Sequence, residues 1–460
     1  MPKYNYPKRL PLLTFLRNAE AIRKNPIPFH KKSFQKYGDS FSVAIGFKKR
    51  VILTRDAELT RYILQKNHKN YNKSRIQTHT LSKYLGHGLL TSNGKFWLKQ
   101  RRLIQPAFHK EKIQKLLGII DDTIKEQVNT IEADTQKELL PIMGELAFQV
   151  VAKSLFHYSA SPQTLKRFQI IIEKVQQFVV KEVRLPHKVW WFKLSGKVKK
   201  HLKLSEESRD ILDEIIQKRK NSKDNYNDLL DMLLDARYED TGEPMPNKQL
   251  IDEITILFIA GHETTANALT FTLFLLAQHP EYCEKIFKEI QEVESKTNDI
   301  FEQLKLLTYT KACIEESMRL YPPAWITDRE NIEDDNIGEF HIRKNSLIGI
   351  SFYELHRNKK YWNKPDEFIP KRFLGDNKKE TSGIYFPFGA GPRMCIGNNF
   401  AIYEMQLAVS QIVKKFKLQT SQKEVHLSPL ITLKPLGLKV EFIKRQPEYF
   451  SLNSNYLTIK

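Results

Sequence analysis

Residues 386–404 read FPFGAGPRMCIGNNFAIYE, with glycines at 389, 391 and 397 around Cys395 and a helical pattern behind them. Glycine lets a backbone turn sharply and press against a flat ligand. If the helix starts just after Cys395, its amides and dipole lower the thiol pKa and favour thiolate, the form that binds metal. Cys395 therefore reads as a ligand or a nucleophile, against the alternatives of an inert buried cysteine or a catalytic Cys–His pair. A dinucleotide-binding loop fails on spacing, because Met394 stands where the third glycine belongs. A zinc site lacks a second Cys or His at ligand spacing. The other cysteines, Cys283 and Cys313, read as packing; His279 lies four residues before Cys283, but Pro280 intervenes.

Working outward, the stretch Leu250 to Ala277 (LIDEITILFIAGHETTANALTFTLFLLA) is apolar nearly all round, the mark of a helix through the core. Its centre carries Gly261, His262, Glu263, Thr264, Thr265 and Asn267, and burying such groups is costly unless they are paired or solvated. A Thr264 hydroxyl can bond the carbonyl of Ala260 and bend the helix. Gly261 would let a ligand come close; a satisfied polar patch between helices is the competing reading.

The remainder is a helical body with some sheet. Residues 41–54 read as a hairpin, and Leu436 to Phe442 as a strand. Apolar spacing of three and four predicts helices over Ile113 to Ile131 and Leu139 to Leu155. Polar stretches at 220–227 and 237–248 read as loops rather than domain linkers. The 460 residues, 41% hydrophobic, exclude a disordered or collagenous chain, and three cysteines exclude a disulfide scaffold. The excess of 74 basic over 53 acidic residues, +21, bounds the partners and not the fold. No nucleic-acid recognition module accompanies it, so no nucleic-acid partner is expected. Leu10 to Leu16 is too short and too interrupted for a signal peptide.

Taken together, these motifs resemble the cytochrome P-450 superfamily of haem-thiolate monooxygenases, of the soluble, bacterial type. Phe388, Gly389, Gly391, Arg393, Cys395 and Gly397 match the haem-binding signature, continued by Phe400, Ala401 and Glu404. Residues 260–265 match the oxygen-activating helix, Glu316 and Arg319 the Glu-x-x-Arg, and Pro370, Arg372 and Phe373 the Pro-x-Arg-Phe. Trp97 and Arg101 match the helix that holds a haem propionate. The motifs run in family order over about residues 30–445.

The resemblance implies one mainly α domain with minor β-sheet (α+β) spanning residues 1–460, without a fused reductase. It implies haem b as cofactor and dioxygen as co-substrate, with Cys395 the proximal iron ligand. Trp97, Arg101, Arg329 and Arg393 would clamp the propionates, while Phe388, Gly389 and Gly397 would surround the sulfur. Glu263 and Thr264, beside Ala260 and Gly261, would deliver protons through water. Glu316, Arg319 and Arg372 would form a structural ion-pair cluster under the haem loop. Phe258, Ile259, Ala324, Trp325 and Ile326 would line a pocket for a hydrophobic substrate.

A monomer in the cytoplasm, taking electrons from a separate ferredoxin or flavodoxin with its reductase, is the expected setting. Lys99, Arg102 and Lys110 are candidates to receive that donor, with solvated side chains the plain alternative. The run 189–204 (VWWFKLSGKVKKHLKL) reads as an entrance lid packed with aromatics, preferred over membrane contact at Trp190 and Trp191.

Overall fold

The computed structural model describes residues 4–45, 49–157, 161–222 and 226–446. Its axis is the helix Asn247–Gln278, buried along most of its length. It begins after Pro246 and stops at His279, whose ψ of 71° lies outside the helical region that the following Pro280 disfavours. Helices Leu139–Phe156, Thr308–Leu320 and Asn398–Lys415 pack directly on it, and Lys110–Asn129 closes the layer behind them. Leu139–Phe156 is long and apolar enough to cross a membrane, yet 61% of it is buried inside the protein, so a core helix explains it.

The axial helix satisfies its polar residues locally. Thr255, Thr270 and Thr272 donate to carbonyls four residues back. Asp252 accepts from Arg209 and from the His87 amide, and Glu253 accepts from the Leu89 amide at 2.9 Å. These carboxylates pin the loop around 86–93 to the helix, and that loop reappears at the site.

A five-stranded sheet flanks the helices, in the order Ser40–Ile45, Lys49–Thr54, Leu347–Ser351, Ile326–Asn331, Tyr71–Asn72. The first two strands form the expected antiparallel hairpin, its turn lying outside the described residues. Lys49–Thr54 then runs parallel to Leu347–Ser351, with Val51 opposite Leu347. The strand Lys439–Lys444 pairs with Phe416–Gln419 and Gln136–Glu138, and His426–Pro429 with Leu433–Leu436 form a separate hairpin. Mainly helical with small sheets is the class expected from the sequence.

Candidate active site

The loop before Asn398–Lys415 is shaped by close backbone approach. Gly391 has φ +70°, and a Cβ there would stand 1.9 Å from the Leu64 carbonyl oxygen, so no other residue fits. The Cys395 amide donates to the Phe388 carbonyl at 2.9 Å, closing the loop on itself. The helix starts at Asn398 with Gly397 as its cap, three residues beyond the sulfur. Cys395 is exposed to solvent, yet protein surrounds it deeply enough that burial raises its thiol pKa; it faces an internal opening. The Gly397 amide and the Arg101 charge pull the other way and lose. Sequence reasoning expected a depressed pKa; in the chain by itself desolvation outweighs the helix terminus.

Beneath the loop, Glu316 and Arg319 are fully buried and paired at 2.7 Å. Arg319 spends all five N–H donors: two on Glu316, and one each on the carbonyls of His356, Pro365 and Glu367. Glu316 also accepts from the Ile369 amide and from Arg372 Nε at 3.3 Å. The ring of His356 accepts the Phe386 amide at 2.9 Å, joining this cluster to the cysteine loop. Sequence reasoning missed His356, since nothing near it in the chain marks it.

A second group of charges, Arg329 buried and Lys73 and Arg393 half-buried, is all cationic. Arg329 is 7% exposed, and burial pulls its pKa down to about 10. Arg393 lies over the Trp97 ring at 4.3 Å, and burial with the nearby Arg329 lowers it to about 10. Lys73, which sequence reasoning did not single out, donates to the carbonyls of Leu89 and Leu90 at 2.6 and 2.8 Å. Burial, then Arg393 and Arg329, hold it well below the ordinary lysine value. Asp328 and Glu253 act on this group only through space; none of the three cations has an ion-pair partner among the described residues. Arg101, expected here, is instead on the sulfur side, donating to the Met394 carbonyl at 3.0 Å and to Gln105.

On the axial helix, Thr264 donates to the Ala260 carbonyl at 2.6 Å, as its spacing suggested. Ala260 is exposed within a helix otherwise largely buried, a second internal opening. Gly261 serves a different purpose from the one expected: a Cβ there would meet Val151 at 3.2 Å, so glycine allows two helices to pack closely. Glu263 accepts from Thr432 and pairs with Lys434 at 3.1 Å.

Two expected pocket residues are packing residues. Phe258, fully buried, is edge-on to Phe148 and Phe168, on the opposite side of the helix from Ala260. Trp325 is 5% exposed, donates to the Leu430 carbonyl at 3.0 Å and faces His30. Ile259 is buried, while Ala324 and Ile326 are half-buried, as is Leu257, one turn before Ala260. An all-apolar helix offers no polar face from which to read its orientation, hence the error at Phe258.

On the surface, Lys99 pairs with Asp240 at 3.0 Å and Arg102 with Glu239 at 3.7 Å, so two of the three expected donor contacts are already engaged. In the helix Val189–Leu194, Phe192 packs against Phe178, but Trp190 and Trp191 are 63% and 51% exposed. The aromatic packing expected of this segment belongs to Phe192 and not to the tryptophans.

The donor set suits a haem: one cysteine sulfur open to an internal space, and three buried or half-buried cations on separate elements for a dianionic group.

The family model for cytochrome P450 matches residues 5–442. The chain is 30% identical to a cyclooctat-9-en-7-ol 5-monooxygenase of Streptomyces melanosporofaciens, over 90% of this chain and 89% of that protein. It is also 30% identical to an 11-oxo-beta-amyrin 30-oxidase of Medicago truncatula, over 91% of this chain and 82% of that one. The fold matches the crystal structure of the cytochrome P450DA heme domain with a TM-score of 0.86 at 22% identity, covering 97% of this chain and 99% of that one.

Proposed function

The chain belongs to the cytochrome P450 family and is a haem-thiolate monooxygenase using dioxygen, and from that premise we propose that Cys395 would hold the haem iron and that Lys73, Arg329 and Arg393 would hold its propionates. The observation that carries this reading is the like-charged trio, buried at Arg329 and half-buried at Lys73 and Arg393, in which no cation has an ion-pair partner among the described residues. Bound haem supplies the activation of dioxygen and the transfer of one oxygen atom to substrate. Cys395 holds the iron, Phe388 and the Gly397 amide shelter the sulfur, and Arg101 adds positive charge beside it. Thr264 and Glu263 deliver protons through water, with Ala260 and Gly261 forming the helix wall. Glu316, Arg319 and Arg372 hold the loop and touch no reactant.

Carbon monoxide added to the reduced protein tests the ligand: a strongly red-shifted Soret band supports it, and the band of an imidazole-ligated haem refutes it. Thr264→Ala should divert reducing equivalents into hydrogen peroxide; unchanged coupling of electron use to product would refute its role.

Leu257, Ile259, Ala324 and Ile326 present an apolar lining, which suits a hydrophobic substrate. The names of the two relatives point first to apolar skeletons bearing a hydroxyl or keto group, and a spin-state screen of such compounds tests this. We read the chain as a single domain of the soluble, bacterial type, monomeric and cytoplasmic, served by a separate ferredoxin or flavodoxin. Lys110 carries no ion pair among the described residues, and it is the basic group of the expected three left free to meet an acidic donor; Lys378 nearby is paired to Glu315 at 2.9 Å. Reduction rates insensitive to ionic strength would count against it.

The exposure of Trp190 and Trp191 among lysines supports a second reading, in which this segment rests on anionic lipid. Flotation with anionic liposomes that survives Trp190→Ala/Trp191→Ala would dispose of it.

A further inference from the structure

Glu263 stands beside Thr264 on the axial helix, but its carboxylate is held by a different element. Thr432 donates to Glu263 Oε1, Lys434 Nζ lies 3.1 Å from the same oxygen, and Asn267, one turn on, donates to the Thr432 hydroxyl at 3.2 Å. Thr432 and Lys434 belong to the turn and returning strand of the hairpin formed by His426–Pro429 and Leu433–Leu436. That hairpin is tied on its other sides to pocket and lid. Leu433 donates to the Pro323 carbonyl at 2.9 Å, Trp325 donates to Leu430, and Arg184, ending the helix that precedes the lid, donates to Pro429 at 2.6 Å.

A carboxylate fixed as an ion-paired acceptor is poorly placed to give up a proton. Each bond that fixes this one comes from the hairpin, and the hairpin touches the segment bearing Ala324 and Ile326. Resting on the reading of Glu263 as a proton donor, we propose that Lys434 and Thr432 are positioning residues that hold Glu263 away from Thr264 until a substrate seated against the hairpin loosens their grip. The Lys434 side chain is 33% exposed and that of Glu263 16%, so the pair is neither so deep as to be permanent nor so wet as to be negligible.

The test uses the haem-loaded protein with a surrogate ferredoxin and its reductase. Without substrate, an active proton relay lets dioxygen take four electrons from the donor and four protons from water and leave as two waters. Lys434→Met should raise that substrate-free rate about five-fold, the equivalent of losing one partly exposed ion pair. Lys434→Arg should restore the low rate. Thr432→Val should act in the same direction as Lys434→Met, and amide exchange over 430–434 should quicken in both. In a Glu263→Gln background Lys434→Met should change nothing, because Lys434 acts through that carboxylate. An unchanged rate in both single variants, or an equal rise without Glu263, overturns the proposal. Throughout, the carbon monoxide band of the unsubstituted protein reports separately on the haem-thiolate reading.

Discussion

Two groups of buried charge lie on either side of the cysteine loop, and they are built on opposite plans. Around Glu316 all five donors of Arg319 have acceptors within the chain, and the charges balance across Glu316, Arg319 and Arg372 to within one unit. Around Lys73, Arg329 and Arg393 three cations repel one another, satisfied only in part by backbone carbonyls. A cluster that closes on itself stabilises the fold; one that is left with a surplus of a single sign is a binding site, because burying like charges is costly unless something of opposite sign joins them. His30 and Glu404 show a third arrangement, in which burial without a partner keeps the group neutral.

The largest effect expected is on the closed cluster. Arg319→Leu leaves the buried Glu316 with only Arg372, at 3.3 Å, as a counter-charge and strands three backbone carbonyls; it should cost about 3–5 kcal/mol in denaturant unfolding, with or without haem. If only the haem-loaded form were weakened, the distinction between the clusters would fail.

His30 comes next. It is 6% exposed and buried without a partner for Nδ1, so its pKa falls from 6.5 to about 4. Below 6.5 the unfolded chain takes up the proton that the folded chain refuses. The contribution to stability is therefore complete above that pH and is lost as pH falls toward 4. Over that window the loss is about 3 kcal/mol, and His30→Phe should flatten the acid limb of the stability–pH curve.

Arg329→Leu should do what Arg319→Leu cannot. It should leave the haem-free protein as stable or more so, while haem passes to a scavenger protein about ten-fold faster, for the loss of one charge-assisted contact. Lys73→Met should act in the same sense but less, about three-fold, since two carbonyls already occupy its ammonium. Haem loss at the wild-type rate in both variants would show that the surplus charge is not the clamp.

What could be read from the chain follows from the distance over which each residue acts. Cys395, Gly391 and Thr264 declare themselves because their chemistry is local: a turn, a close approach, a bond four residues back. The Glu316–Arg319 pair is equally local, three residues apart on one helix. Lys73 and His356 escaped notice because their meaning depends on partners brought from elsewhere in the chain. Lys434 escaped for the same reason, its contact with Glu263 being set by how a hairpin lands on a helix. Phe258 misled because a helix apolar on all sides hides which face looks inward, and Gly261 because the same absence of a side chain suits a ligand or a neighbouring helix equally well.

The upward pKa of Cys395 has a consequence for how the protein survives its own synthesis. A sulfur that keeps its proton reacts slowly with peroxide and with alkylating agents. A chain folded ahead of its cofactor would thus carry this sulfur in a chemically quiet form.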